Sequence, residues 1–151
     1  MTKTGQLGGR CSQAHLPLPD AACQPGATNP DVTQSTIQST ICVPGWTGTV
    51  RPPASYTDAL KVRQIGEYGY SDTSPATYEE DHLIPLELGG APKDSKNLWP
   101  EPRSGGQGAA SKDSVENKLK TAVCNGSVKL DDARNAIATD WTTALAKTGV
   151  R

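Results

Sequence analysis

The sequence predicts an α+β fold, with helices on either side of one irregular hairpin. Three observations predict it. Two extended stretches, 78–88 and 97–100, are separated by Gly89-Gly90 and a polar connector. Apolar residues recur at helical spacing through the last third of the chain. Capping and breaking residues mark two further helical stretches before the hairpin.

The chain has 151 residues, enough for one domain with its own core. Residues 1–28, rich in Gly, Pro and polar side chains, are expected to be irregular, and 29–151 to form the domain. Asn29-Pro30-Asp31 reads as a helix start, which predicts a helix over 32–41 with Val32, Ile37 and Ile41 buried. Pro44-Gly45 and Arg51-Pro52-Pro53 are connectors. Ser55-Tyr56-Thr57-Asp58 resembles a capping box with Asp in place of Glu, followed by Ala59, Leu60, Val62 and Ile65 at helical spacing. Gly66 and Gly69 each suit the end of that helix.

Pro100 and Pro102 are expected to end the second arm, and 104–108 to form a flexible loop. A helix from Ser111 then places Val115, Leu119, Ala122 and Val123 on one face and stops at Asn125-Gly126. A last helix over 130–147 turns Ala133, Ile137, Trp141 and Leu145 inward, with Asp131 and Asp132 placed to suit its dipole.

Only 34% of the residues are apolar, none is Phe, and Trp46, Trp99 and Trp141 are the large side chains expected in a modest core. The net charge is −1, without the basic excess of a dedicated nucleic-acid binder. Phosphate binding would therefore rest on local cations: Arg51, Arg103 and Lys112 first, then Lys61, Arg63, Lys93, Lys96, Lys118 and Lys120. Tyr56, Tyr68, Tyr70 and Tyr78 suit half-buried packing better than base stacking.

Cysteines stand at 11, 23, 42 and 124, with no C-x-x-C spacing that would suggest zinc or redox chemistry. Three pairings are possible. Cys11–Cys23 with Cys42–Cys124 is the expected one, and it implies an oxidising compartment. Free buried thiols in a cytoplasmic protein are the other reading. No apolar run is long enough to span a membrane. Residues 1–9 read as an unstructured leader, and we expect a secreted or extracytoplasmic protein whose signal peptide is absent from this sequence. Asn125-Gly126-Ser127 matches a glycosylation acceptor, although a helix-ending turn accounts for it.

Histidine occurs twice. His15 lies in the Pro-rich N-terminal segment with nothing catalytic beside it. His82 follows Glu79, Glu80 and Asp81. Neighbours on a strand point to opposite faces, so a twist or bulge is expected if Asp81 and His82 serve one centre.

The run Asp81-His82-Leu83-Ile84-Pro85-Leu86-Glu87-Leu88-Gly89-Gly90, followed by Asn97-Leu98-Trp99-Pro100, resembles the HNH, or His-Me finger, endonuclease superfamily. A wider set resembles a bacterial group of uncharacterised HNH-like proteins expected to be exported. It comprises Thr40-Ile41-Cys42-Val43, Gly45-Trp46-Thr47, Val50-Arg51-Pro52-Pro53, Asn97 to Pro102, Lys112-Asp113, Glu116-Asn117 and 136–141.

The resemblance implies a ββα-metal core over about 76–124 and hydrolysis of phosphodiester bonds with little sequence preference. It makes His82 the general base and Asp81 a ligand of one divalent cation, Mg²⁺ first and Mn²⁺ second. Asn97 would fix the hairpin and orient His82. The partner would be nucleic acid, DNA rather than RNA, with no membrane and no obligate protein partner.

The chain departs from the family at the third element, where no His follows the hairpin. The next helix offers Asp113, Glu116 and Asn117, with Asn117 the first choice of ligand and Glu116 the second. The alternative function is a catalytically degenerate member of the fold acting as an extracellular binding module. A structural zinc protein is a third reading that the scattered cysteines disfavour.

Overall fold

The computed structural model describes residues 10–104 and 108–151. The expected leader and the centre of the 104–108 loop lie outside the described residues. The elements are α1 (Trp46–Val50), α2 (Ala54–Tyr68), β1 (Tyr78–His82), β2 (Leu98–Pro102), α3 (Ala109–Cys124), α4 (Leu130–Asp140) and α5 (Ala144–Thr148), joined by short 3₁₀ turns. Helices flank a two-stranded antiparallel sheet, so the arrangement is α+β.

Helix ends follow local chemistry. Helix α2 starts directly after Pro52-Pro53 and ends at Gly69, whose φ of 64° needs no Cβ. The expected capping box lies inside α2 and makes no side-chain cap; Val62 is 58% exposed rather than inward. Helix α3 begins two residues ahead of Ser111.

Two expected helices are shorter or interrupted. Over 32–41 only Ile37–Ser39 forms a 3₁₀ turn. Thr36 Oγ1 accepts from Thr33 N at 2.8 Å and donates to Asp31 O at 2.9 Å, so side chains take up groups that a helix would use. Val32, Ile37 and Ile41 are buried all the same. The last helix breaks at Asp140, which is extended and accepts from Thr142 N at 2.9 Å, restarting the chain as a separate turn and α5.

The hairpin is held between two apolar clusters. The larger joins Val32, Ile37 and Ile41 with Leu119 and Val123 of α3 and Leu130 and Ile137 of α4, and it includes Ile84 and Leu88 from the loop after β1. The smaller contains Tyr68, Tyr70, Tyr78 and Trp99. Tyr70 and Tyr78 stack at 4.5 Å between ring centroids. Trp99 and Trp141 are buried, whereas Trp46 is only half-buried.

Both expected disulfides are present. Cys11–Cys23 closes a local loop, and Cys42–Cys124 ties the chain ahead of α1 to the end of α3 across 82 positions. Two disulfides fit an oxidising compartment. No helix among the described residues is long and apolar enough to cross a membrane.

Candidate functional site

Strand β1 pairs with β2 in a continuous register that sets Asp81 opposite Trp99 and His82 opposite Leu98. The second arm therefore runs through Pro102 rather than ending at Pro100. It tolerates its prolines because alternate residues turn their polar groups outward. Four outward carbonyls are capped by side chains. Gln64 Nε2 donates to Leu98 O at 2.7 Å and Tyr70 Oη to Pro100 O at 3.0 Å. On β1, Lys61 Nζ donates to Tyr78 O at 3.1 Å and Lys112 Nζ to His82 O at 3.0 Å.

The loop from 83 to 97 is built around Asn97. This side chain is fully buried, and its amide makes four hydrogen bonds. Oδ1 accepts from Ile84 N at 3.0 Å and Ala27 N at 3.3 Å; Nδ2 donates to Ile84 O at 3.0 Å and Ala91 O at 3.1 Å. Gly90 is required at this junction, because a Cβ there would collide with the Ile84 carbonyl and lie 2.8 Å from Asn97 Nδ2. The loop so fixed presents Pro92 O to His82 Nε2 at 3.0 Å. Asn97 thus lies in the frame of the loop, away from the cleft.

Arg134 of α4 secures the same loop. Its Nε donates to Leu88 O and its Nη2 to Val32 O, both at 2.8 Å. Arg134 was not among the expected site residues; its place beside Ala133 and Ile137 on the inward face of α4 was the available signal.

A cleft of about 670 Å³ lies between β1, α1 and α3. Glu79, Glu80, Asp81 and His82 border it from β1, and Asp113, Glu116 and Asn117 from α3. No bulge interrupts the register. Consecutive residues 79–82 nevertheless border the cleft, and no third strand lies beside β1 among the described residues. Arg51 and Lys120 supply cations to its lining, and Trp46 an aromatic ring.

Carboxylate oxygens of Glu79, Asp81 and Asp113 lie within 4.8 Å of one another. Opposite ligands of a hard divalent cation stand about 4–5 Å apart, so this donor set fits such an ion. The companions of Asp81 are thus Glu79, which was not an expected ligand, and Asp113, which the helix offered behind Asn117 and Glu116. Glu116 is instead paired with Lys112. The Asn117 amide nitrogen, when oriented to donate, lies 2.8 Å from Glu87 Oε2.

Lys112 is also corrected. Expected as a surface phosphate contact, it is 0% exposed. Its ammonium lies 2.9 Å from Asp81 Oδ2 and 2.5 Å from Glu116 Oε2. Burial pulls its pKa down, but Asp81 and Glu116 outweigh it and hold the amine protonated. Arg103 is exposed and pairs with Glu79 Oε1 at 3.5 Å. Arg51 is exposed at the cleft.

Several acids share this one buried ammonium. Burial, reinforced by Asp81, pushes Glu101 up to about 9. Glu116 is raised to about 8, again by burial, against the pull of Lys112. Burial also raises Glu79 and Asp113, with Asp81 adding to each. Burial lowers His82 below its usual value and keeps its ring neutral near pH 7, against the pull of the Pro92 carbonyl and Asp81, with Arg51 and Lys112 adding to the effect of burial.

Compared with family models, curated proteins and solved structures, the chain matches none.

Proposed function

We propose that the chain is a metal-dependent endonuclease of the HNH, or His-Me finger, type, with β1, β2 and α3 as its ββα-metal unit. One observation carries this reading. A three-carboxylate donor set and a neutral, half-buried histidine border the same cleft.

Each side chain then has a definable task. With the Nε2 proton donated to Pro92 O, His82 keeps its Nδ1 lone pair free to take a proton from an attacking water. Glu79, Asp81 and Asp113 would hold a divalent cation, Mg²⁺ or Mn²⁺. That ion would supply Lewis-acid polarisation of the phosphodiester and charge stabilisation at the leaving oxygen. Arg51 and Lys120 would hold the phosphate backbone. Contacts of that kind read no base sequence, which agrees with a nuclease of low specificity. DNA is the first substrate to test and RNA the second. The disulfides support a secreted or extracytoplasmic setting.

One observation favours the alternative of a binding module without catalysis: Lys112 already offsets the charge of Asp81 and Glu116. Hydrolysis of bis(p-nitrophenyl) phosphate with Mn²⁺ separates the two. The nuclease reading expects turnover that Asp81→Asn and His82→Ala abolish while the fold survives. A folded wild-type chain without turnover in Mn²⁺ or Mg²⁺, and with Mn²⁺ binding indifferent to Asp81→Asn, would leave only the module.

A further inference from the structure

We propose that Glu101 is a fourth carboxylate ligand of the cation site, beyond Glu79, Asp81 and Asp113; this rests on the metal-dependent reading above. Glu101 is 0% exposed, and neither of its carboxylate oxygens has a hydrogen-bond partner. Asn97 and Lys112, equally buried, are fully engaged by comparison. Burial keeps Glu101 protonated near pH 7, but a buried carboxyl without a partner is costly even so, and a bound ion that displaces its proton would supply one.

Its position says which site. The register sets Glu101 directly opposite Glu79. Opposite residues of an antiparallel pair share a face, with β-carbons about 4.5–5.5 Å apart. Asp81, two residues from Glu79, lies on that same face. The charges that act on Glu101 are those of Asp81, Lys112, Glu79 and Glu116. Lys112 favours its charge only through space and makes no contact with it, because the ammonium is taken by Asp81, Glu116 and the His82 carbonyl. Glu101 does not border the cleft, and its oxygens stand outside the set that lies within 4.8 Å of one another. It would therefore meet the cation from the protein interior, while Asp113 meets it from the cleft wall.

Mn²⁺ binding by titration calorimetry, with melting curves in chelator and in Mn²⁺, tests this on wild type, Glu101→Gln, Glu101→Asp and Asp81→Asn. Glu101→Gln keeps the shape and removes the charge. It should weaken Mn²⁺ binding about tenfold or more and shrink the melting-temperature rise that Mn²⁺ produces. In chelator it should melt at or near the wild-type temperature, because a neutral amide replaces a protonated carboxyl of the same shape. Glu101→Asp, with the charge on a shorter arm, should fall between the two.

Wild-type Mn²⁺ affinity in Glu101→Gln, with Asp81→Asn losing the ion, overturns the proposal and leaves the metal-dependent reading standing. A chelated Glu101→Gln chain that melts several degrees below wild type also overturns it, by making the carboxylate structural. A wild-type chain that binds no Mn²⁺ overturns both.

Discussion

The Lys112 ammonium lies 2.9 Å from the Asp81 carboxylate, and the lysine is wholly buried. This contact ties α3 to the end of β1, and with the bond to His82 O it fixes the Asp81-His82 pair from behind. Removing one partner of a buried pair leaves the other charge uncompensated, which costs about 3–5 kcal/mol. Lys112→Met should lose stability on that scale in urea unfolding. A loss below about 1 kcal/mol would mean that the pair is solvated, as a surface pair is.

Asn97 makes the second prediction. Truncation to Ala leaves Ile84 N, Ile84 O and Ala91 O short of partners in the interior. Each buried group left unpaired costs about 1–3 kcal/mol. Asn97→Ala should therefore lose at least about 3 kcal/mol, and the Ile84 amide should exchange faster with solvent. Unchanged Ile84 exchange would show that the loop holds without the amide.

The disulfides should contribute unequally. In the chain-entropy account, closing the 82-residue separation of Cys42–Cys124 stabilises by about 4.5 kcal/mol, against about 3 kcal/mol for the 12 residues of Cys11–Cys23. Paired Cys→Ser substitutions measure the difference in denaturant. Equal losses, or a larger loss at Cys11–Cys23, would contradict this order.

His82 acts on the acid limb of the pH profile, and Glu80, together with Glu116 and Glu101, on the alkaline limb. His82 in the folded chain titrates below 6.5, chiefly because it is buried. The unfolded chain binds that proton more tightly. The contribution of His82 is complete above its ordinary value and is lost as pH falls through the folded one, and hydrolysis should fail over the same acid range. Burial raises Glu80 to about 8, against the pull of Lys61. Here the folded chain binds the proton more tightly, so the contribution is complete below 4.5 and is lost as pH rises through about 8. Glu80→Gln should flatten the alkaline limb of urea stability, and an alkaline limb identical to wild type contradicts the assignment.

Much of the frame was legible because it follows from punctuation and period. Gly69 ends α2, Asn125-Gly126 ends α3, and Leu119 and Val123 mark an inward face. The site was legible only in part. Asp81 and His82 stood out because histidine is scarce, but Glu79 was not foreseen as a companion and Asp113 was ranked behind Asn117 and Glu116. Lys112 and Glu116 are four residues apart, the spacing of an ordinary solvated helix pair, yet both are buried. An apolar stripe identifies only one inward face of a helix. The second inward face of α3 is polar because it meets charged groups on the hairpin, and hydrophobic patterning does not register it. Glu101 was hidden for the same reason, between two prolines whose strand was expected to end before it.

Supercoiled plasmid incubated with the purified, disulfide-intact chain tests the central claim most directly. We predict nicking in Mg²⁺ or Mn²⁺ that stops in chelator and is absent from a folded His82→Ala variant. Intact plasmid under every divalent ion, or nicking that survives His82→Ala, contradicts the account.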